Sequence, residues 1–493
     1  MSISVTAPLE SAPLAADLPR RLAEVAPRVV VVGDAVLDCW LSGPTRRLSR
    51  EAPVPVVEVD VTRCAAGGAA NTAVNLAALG ARVSLVAVVG DDDDGATLRR
   101  LLDEAGVDTS ALLVAPGRPT AAKRRIVADD AMVARYDTVP ADGTVEGFAA
   151  VLADALDAGP DATVVCDYAV GGLDDAAVST VAAHRDRLGV LVVDAHDLAR
   201  WAPAGPDVVT PNAGEVAVLL GRALDGADRV AAAEAAGGEL RTRAGAATVV
   251  VTLDRDGALL LPPDLPAHRT WARPAPESRA CGAGDSFTAA LTLALAAGTP
   301  GPTAVELAQA AADVVVGRTG TAVCSTADLS SRVSASGESL SSAAELARLV
   351  ADHRTAGRRI VFTNGCFDVV HRGHVAYLNQ AKRLGDVLVV ALNTDEGVAR
   401  LKGPGRPVNP LADRAAVIGA LSCVDHVVSF AEDTPVALLE AVRPDVYAKG
   451  GDYTAAMLTE SPVVTAYGGR VAILDYLPDR STTAVVERIR ARG

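Results

Sequence analysis

Residues 358–385 read "RRIVFTNGCFDVVHRGHVAYLNQAKRLG". A short apolar run, a glycine-bearing turn and a helix-compatible run follow one another, which predicts a strand, a turn and a helix. Two of the chain's seven histidines, His371 and His374, fall where that helix starts, either side of Arg372 and Gly373. A helix N-terminus presents unpaired N–H groups and the positive end of the helix dipole, so it suits a phosphate. The glycine lets the loop turn sharply enough for both imidazoles to face one anion. Metal ligation and purely structural histidines are the alternatives. A zinc site would need further ligands at regular spacing, and the other histidines (184, 196, 268, 353 and 426) offer none.

Similar Val-rich runs recur a helix apart on both sides of a Ser-rich passage. Upstream stand "RVVVVG" (28–33), "RVSLVAVVG" (82–90), "ATVVCDYA" (162–169), "GVLVVDA" (189–195), "DVVTPN" (207–212) and "ATVVVTLD" (247–254). Downstream stand "DVLVVALNTD", "VDHVVSF", "PDVYAKGGD" and "RVAILDY". Continuously apolar strands alternating with helices predict parallel sheets buried on both faces. The fold class expected is therefore α/β, one large parallel-sheet domain followed by a smaller Rossmann-like one. We expect a flexible tail over 1–26, a first domain over 27–328, a Ser-rich linker over 329–345 and a second domain over 346–493.

Composition narrows the function. A chain of 493 residues exceeds what one core supports. With 61 acidic against 46 basic residues, a net charge of −15 argues against nonspecific nucleic-acid or anionic-membrane surfaces and favours small anionic ligands. Seven scattered cysteines without a C-x-x-C pair suit a reducing, cytoplasmic setting and buried thiols rather than disulfides. The N-terminus lacks a basic segment followed by an apolar core, and no apolar run is long enough to span a bilayer.

Near residue 280 lies "RACGAGDSFTAALTLALAAG". Gly282, Ala283 and Gly284 can form a tight turn whose N–H groups open a helix, an anion hole for a phosphoryl group in transfer. Asp285 beside it can take a proton from an attacking hydroxyl, although on four letters a plain helix cap reads equally well. With "VVGDAVLD" (31–38), "AAGGAANTAVNLAALGARVSLVAVVGDDDDG" (65–95), "VVTPNAGEV" (208–216) and "VVTLDRDGALLL" (250–261), five segments in order, the stretch 27–328 resembles the ribokinase-like sugar kinase (PfkB) family.

That resemblance implies Asp285 as catalytic base and the Gly282–Gly284 backbone as anion hole. It implies Asn212 and Glu215 near the nucleotide phosphates, with Glu215 an indirect Mg²⁺ contact, and Asp34, Gly67, Gly68 and Asn71 on the sugar. Lys123 and Arg124, in the basic run "AAKRRIV", could hold a substrate phosphate or form a solvated strand edge. Arg279 and Cys281 stand where the family usually has an acid and a threonine, which casts doubt on a monovalent-cation site there.

"TNGCFDVVHRGH", "NTDEGVARLKGPGRPVNPLADR" (393–414), "AKGGDY" (448–453) and "STTAVVERI" (481–489) together resemble the cytidylyltransferase-like nucleotidyltransferase family over about 358–490. The resemblance implies that His371 and His374 bind nucleotide phosphates with help from Lys402 and Arg414. Thr363, Asn364, Gly365 and Phe367 would line the nucleotide, Asp368 and Lys449 would lie near the sugar phosphate, and Ser481, Thr482 and Thr483 would close over it.

The fused order is similar to the bifunctional heptose 7-phosphate kinase and heptose 1-phosphate adenylyltransferase family. This implies two steps using ATP and Mg²⁺ on sugar phosphates, a separate sugar bisphosphate phosphatase acting between them, and a homodimer. Another sugar or polyol phosphate with CTP, or a nucleotide sensor with an impaired kinase half, remain the alternatives from the residues themselves.

Overall fold

The computed structural model describes residues 17–474 apart from 129–130, 142, 144, 225–227, 274–280, 317, 319, 339, 356 and 451–456; over 335–341 and at 372 it describes the backbone alone. The chain divides into two compact units, Pro19–Leu329 and Ser330–Gly493.

The first unit is built on a nine-stranded sheet. Its central strands run Thr248–Thr252, Val208–Val209, Val190–Ala195, Ala162–Asp167, Arg28–Gly33, Arg82–Gly90 and Leu112–Ala115, all parallel. Ala258–Leu261 and His268–Arg269 add an antiparallel edge. Each expected Val-rich run is a strand here, because Val and Leu on both pleat faces can be buried only when helices cover both sides. Trp201, fully buried in a 3₁₀ segment (Ala199–Ala204), fills one side of this core and donates its indole N–H to Asp167 Oδ2 at 2.8 Å.

A second sheet of four strands, ordered Val61–Gly68, Ala35–Gly43, Ala122–Ala128 and Ala131–Thr138, makes a lid. Its antiparallel register sets Cys39 opposite Cys64, and the two form a disulfide. The expectation that all cysteines are thiols is corrected at this pair: residues 25 apart in sequence meet only through the ladder register, which spacing does not reveal.

The second unit has six parallel strands in the order Leu340–Ser341, His426–Phe430, Val387–Asn393, Ile360–Gly365, Val446–Gly450 and Arg470–Leu474. Two expected boundaries differ from what is observed. The end of the supposed tail is a helix, Leu18–Val25, with Leu22 buried. The supposed linker is helical over Thr326–Glu338 and then adds the edge strand Leu340–Ser341. Serines just before it and within it cap helices. Ser325 and Asp328 exchange side-chain-to-backbone bonds (3.0 and 3.1 Å) at one helix start, and Ser342 accepts from Glu345 N (3.2 Å) at the next.

Replacing Trp201 by Ala should destabilise the first unit by about 3–5 kcal/mol, since a large buried side chain is removed and Asp167 loses a donor. Chemical denaturation followed by circular dichroism checks this; a loss under 1 kcal/mol would show that Trp201 does not organise that side of the core.

Candidate functional sites

In the first unit a cavity of about 610 Å³ opens where the parallel strands end. Helix Ala283–Ala296 starts at its wall. Gly282 precedes it at φ 80°, a conformation that only glycine adopts cheaply, and no side chain caps the helix. The first N–H groups are therefore left for a ligand. Asp285 sits in that first turn and accepts from Asn71 Nδ2 at 2.6 Å and from Tyr168 OH at 3.2 Å. Burial raises its pKa to about 6, with those two donors opposing.

Tyr168 OH also lies 2.8 Å from Asp194 Oδ2. Asp194 is pushed to about 7, by burial first and by the Glu215 carboxylate next. One phenolic proton cannot serve two carboxylates. Both contacts are satisfied when Asp194 is protonated and donates to Tyr168, which in turn donates to Asp285. Tyr168, Asp194 and His196 all line the cavity, and none was singled out from the sequence. Tyr168 and His196 stand just past the ends of "ATVVCD" and "VLVVDA" and Asp194 is the next-to-last residue of the latter, so the only signal was their place at the C-terminal edge of a parallel sheet.

The other expected kinase residues sort by what they touch. Asn212 caps helix Ala213–Leu220, its Oδ1 accepting from Gly214 N and Glu215 N, while Glu215 Oε2 accepts from Asn212 N. Glu215 Oε1 meets His196 Nδ1 at 2.8 Å, which raises the histidine's pKa. Both residues remain on the cavity wall.

Asp34 is buried and accepts from three backbone N–H groups (Tyr168, Val170 and Gly172), so it fixes the loop beside the cavity. Gly68, at φ 58°, turns the chain into the helix that holds Asn71, and a Cβ on Gly67 would come within 2.6 Å of Asp38 Oδ2. Lys123 is near enough to lower the pKa of Asp285. Arg124 departs from expectation: it pairs with Asp94 and stacks on Tyr136, on the opposite face of the lid from Lys123. Cys281 Sγ lies 3.4 Å from Thr321 Oγ1; Arg279 lies outside the described residues.

In the second unit His371 caps helix Arg372–Lys382. Its Nδ1 accepts from Gly373 N at 3.1 Å, and its own backbone N–H donates to His374 Nδ1 at 3.4 Å. The rings stack with centroids 3.9 Å apart. A neutral ring whose Nδ1 accepts carries its proton on Nε2, so both imidazoles are held as Nε2–H donors. His374 is neutral: burial first, then the neighbouring His371 and Lys402, lower its pKa to about 3. Phe367, with φ 44°, packs against it at 5.1 Å, and Gly365 lies so close to the Phe367 ring that a Cβ there would come within 2.9 Å.

Asn364 Oδ1 accepts from Lys449 Nζ (2.9 Å) and Tyr447 OH (2.8 Å), which brings Lys449 to the same strand end. Lys402 is exposed at the end of helix Asp395–Lys402.

Three expected contacts point inward instead. Thr363 is fully buried and bonded to Tyr377 OH. Asp368 pairs with Arg406 at 2.5 Å and accepts from Val408 N and Asn409 N. Arg414, 1% exposed, donates to the carbonyls of Cys366, Asn393 and Asn409 and to Asp395, so it staples the loops rather than reaching into the site. An arginine's five donors suit either role, and sequence alone does not choose. Ser481, Thr482 and Thr483 lie outside the described residues.

Among the described residues no cluster of three or more His, Cys, Asp or Glu side chains forms a metal site, and no helix is long and apolar enough to cross a membrane.

Residues 26–328 match the pfkB family of carbohydrate kinases and 362–488 match the cytidylyltransferase-like family. The first unit shares its fold with Escherichia coli phosphofructokinase-2, solved in complex with potassium (TM-score 0.52, 22% identity, 62% of this chain and 97% of that one). It shares it equally with Arabidopsis thaliana ribokinase complexed with ribose and ATP (TM-score 0.51, 20% identity, 62% and 98%). Along nearly the whole chain it is 42% identical to the bifunctional protein HldE of Pseudomonas aeruginosa, over 94% of this chain and 98% of that protein. The HldE of Alcanivorax borkumensis is also 42% identical, over 94% and 97%. With a carbohydrate kinase and a nucleotidyltransferase joined in one chain, and relatives of this identity along its length, the protein is a bifunctional enzyme of the HldE family.

Proposed function

We propose that the first site phosphorylates the anomeric hydroxyl of a heptose 7-phosphate with ATP, and that the second joins AMP from ATP to the heptose 1-phosphate, releasing pyrophosphate. The observation that carries the first step is a buried aspartate poised at about 6 beside an uncapped helix N-terminus. Asp285 takes the proton of the sugar hydroxyl as its oxygen bonds the γ-phosphorus and the bond to ADP breaks; the Gly282–Gly284 backbone meets the charge on the transferred group. Mg²⁺ fits here. Burial first, then the Glu215 and Asp285 carboxylates, raise the pKa of Asp194, and a divalent cation would relieve that negative charge while screening the phosphates. Glu215 and Asp194 are the residues placed to hold it, directly or through water.

In the second step a phosphate oxygen of the sugar attacks the α-phosphorus and pyrophosphate leaves. The Nε2–H groups of His371 and His374 donate to the phosphate oxygens on which charge builds, and Lys449 and Lys402 supply positive charge nearby. Neither the use of another sugar with CTP nor a role as a nucleotide sensor is favoured by a likeness that spans both domains.

Between the steps a separate phosphatase must remove the 7-phosphate, and the reactions belong in the cytoplasm, where ATP is supplied. A homodimer is supported by the lid's outer strand, Ala131–Thr138. It is exposed along almost its whole length and carries Met132 and Val133, so a second copy could pair with its free edge.

Asp285→Asn should abolish sugar phosphorylation and leave adenylyl transfer intact. His374→Ala should do the reverse, by about 10²-fold as for loss of one preorganised donor. Assays of each half-reaction on the folded variants check this; a single change that removed both activities would contradict two separate sites.

The kinase base must be ionised to accept a proton. Its kcat/KM should therefore fall as pH drops through about 6, the value set for Asp285. Asn71 donates to the ionised form and so holds that value down; Asn71→Ala should move the acidic limb to higher pH. A limb that stays put would assign it to another group.

A further inference from the structure

Helix Ala69–Ala78 carries two asparagines one turn apart, Asn71 and Asn75, and packs against helix Ala283–Ala296. Both asparagines are buried. A buried amide with unmet donors or acceptors is costly, and Asn75 leaves none unmet. Its Nδ2 donates to Asn71 O at 2.9 Å and to Asn71 Oδ1 at 3.0 Å. Its Oδ1 accepts from Ser286 Oγ and from Cys324 N, both at 2.9 Å. An asparagine side chain offers two donors and an oxygen with two lone pairs, so its capacity is filled.

Two of these partners act in one direction only. Cys324 N can only donate and the Asn71 carbonyl can only accept, and they stand at opposite ends of the amide. The Asn75 side chain therefore has a single sense, with its NH₂ toward Asn71. That in turn fixes Asn71: its Oδ1 faces the Asn75 NH₂, and its Nδ2 is left to donate to Asp285 Oδ2 at 2.6 Å. A backbone N–H is thus linked through two amides to the carboxylate. An asparagine held in this sense favours the ionised carboxylate alone, because it cannot turn its oxygen to accept from a protonated one. An amide free to turn would serve both forms and would not discriminate between them.

We propose that Asn75 is a positioning residue of the kinase: it locks the sense of the Asn71 amide, so that Asn71 always donates to the base and the buried Asp285 stays ionised to receive the proton of the sugar hydroxyl. The inference rests on the reading of Asp285 as that base. Asn75 itself lies behind the cavity wall, not on it. The other groups that face Asp285 are Tyr168 at its strand end, with Asp194 beyond it, the Cys166 thiol, and Asp38 and Lys123 from the lid. Changes at Asn75 leave all of them in place.

The test follows kcat/KM against pH for phosphorylation of heptose 7-phosphate by the full chain, with ATP and Mg²⁺. Asn75→Ala admits water between Asn71, Ser286 and Cys324; Asn75→Ser, whose hydroxyl can bond the Asn71 carbonyl, is the second variant should the first fold poorly. Either should move the acidic limb upward by about one pH unit, so that activity below the limb falls about tenfold while activity above about pH 8 matches wild type. Added to Asn71→Ala, either should move the limb no further, because Asn75 acts only through that amide. Thr326→Val removes another bond between the same loop and helix, Thr326 Oγ1 to Ala78 O at 3.3 Å, and should leave the limb in place. A limb that Asn71→Ala moves and the Asn75 changes do not, a loss equal at every pH, or a further shift in the double variant overturns the proposal. If Asn71→Ala leaves the limb in place, or heptose 7-phosphate is not turned over, the reading of the base or of the substrate fails instead. The Asn71 side-chain amide signal, in protein labelled with ¹⁵N at its seven asparagines, then decides. Its Nδ2–H should keep the shift of a carboxylate-bonded donor at all pH in wild type and lose it at low pH in the Asn75 variants; variants that keep it overturn the proposal.

Discussion

Everything in this molecule depends on one constraint: a parallel sheet covered on both faces by helices is open only at its ends. Strands that are apolar on both sides, such as Val29–Val32 and Leu388–Leu392, cannot carry chemistry along their length. The next residues, at the carboxyl edge, can, and helices start there with unpaired donors. Asp285 and the His371–His374 pair occupy equivalent places on two different sheets, each in the first turn or at the cap of a helix.

The two sites solve the approach of polyphosphate differently. In the first, burial raises the pKa of Asp285, and burial with the neighbouring Glu215 carboxylate raises that of Asp194, into the range where a proton can be held or released near neutral pH. Tyr168 ties the two by one hydroxyl, so the protonation of one conditions the other. In the second, backbone N–H groups fix the tautomers of both imidazoles and burial keeps His374 uncharged, so the anion meets oriented dipoles rather than fixed charge. Lys449 is held at the strand end by Asn364 and Tyr447, while Arg414 and Asp368 are spent on holding loops.

The Val-rich strands and the parallel sheet of each unit were legible in the sequence, because continuous apolar runs report on local geometry. What was not legible depends on register. Lys123, Arg124 and Arg125 are consecutive, so their side chains alternate between lid faces, and only the ladder reveals that Arg124 turns to Asp94 while Arg125 turns to the transfer site. Cys39 and Cys64 meet for the same reason. Ser342 reads as linker and is a helix cap, since one composition serves both purposes. Tyr168 and Asp194 gain meaning only once adjacent strand ends place them 2.8 Å apart.

The claim that one chain performs two separated steps on a single sugar is tested most directly by following products by mass spectrometry. Purified enzyme given heptose 7-phosphate, ATP and Mg²⁺ should accumulate the 1,7-bisphosphate and stop, because the two domains account for nearly the whole chain and neither site is built to hydrolyse the 7-phosphate. The acidic turn Asp91–Asp94 does not supply such a site: Asp92 caps a helix and grips Thr120, and Asp94 pairs with Arg124. Adding a sugar bisphosphate phosphatase should then release ADP-heptose. Appearance of ADP-heptose without the phosphatase, or absence of the bisphosphate, would contradict the account.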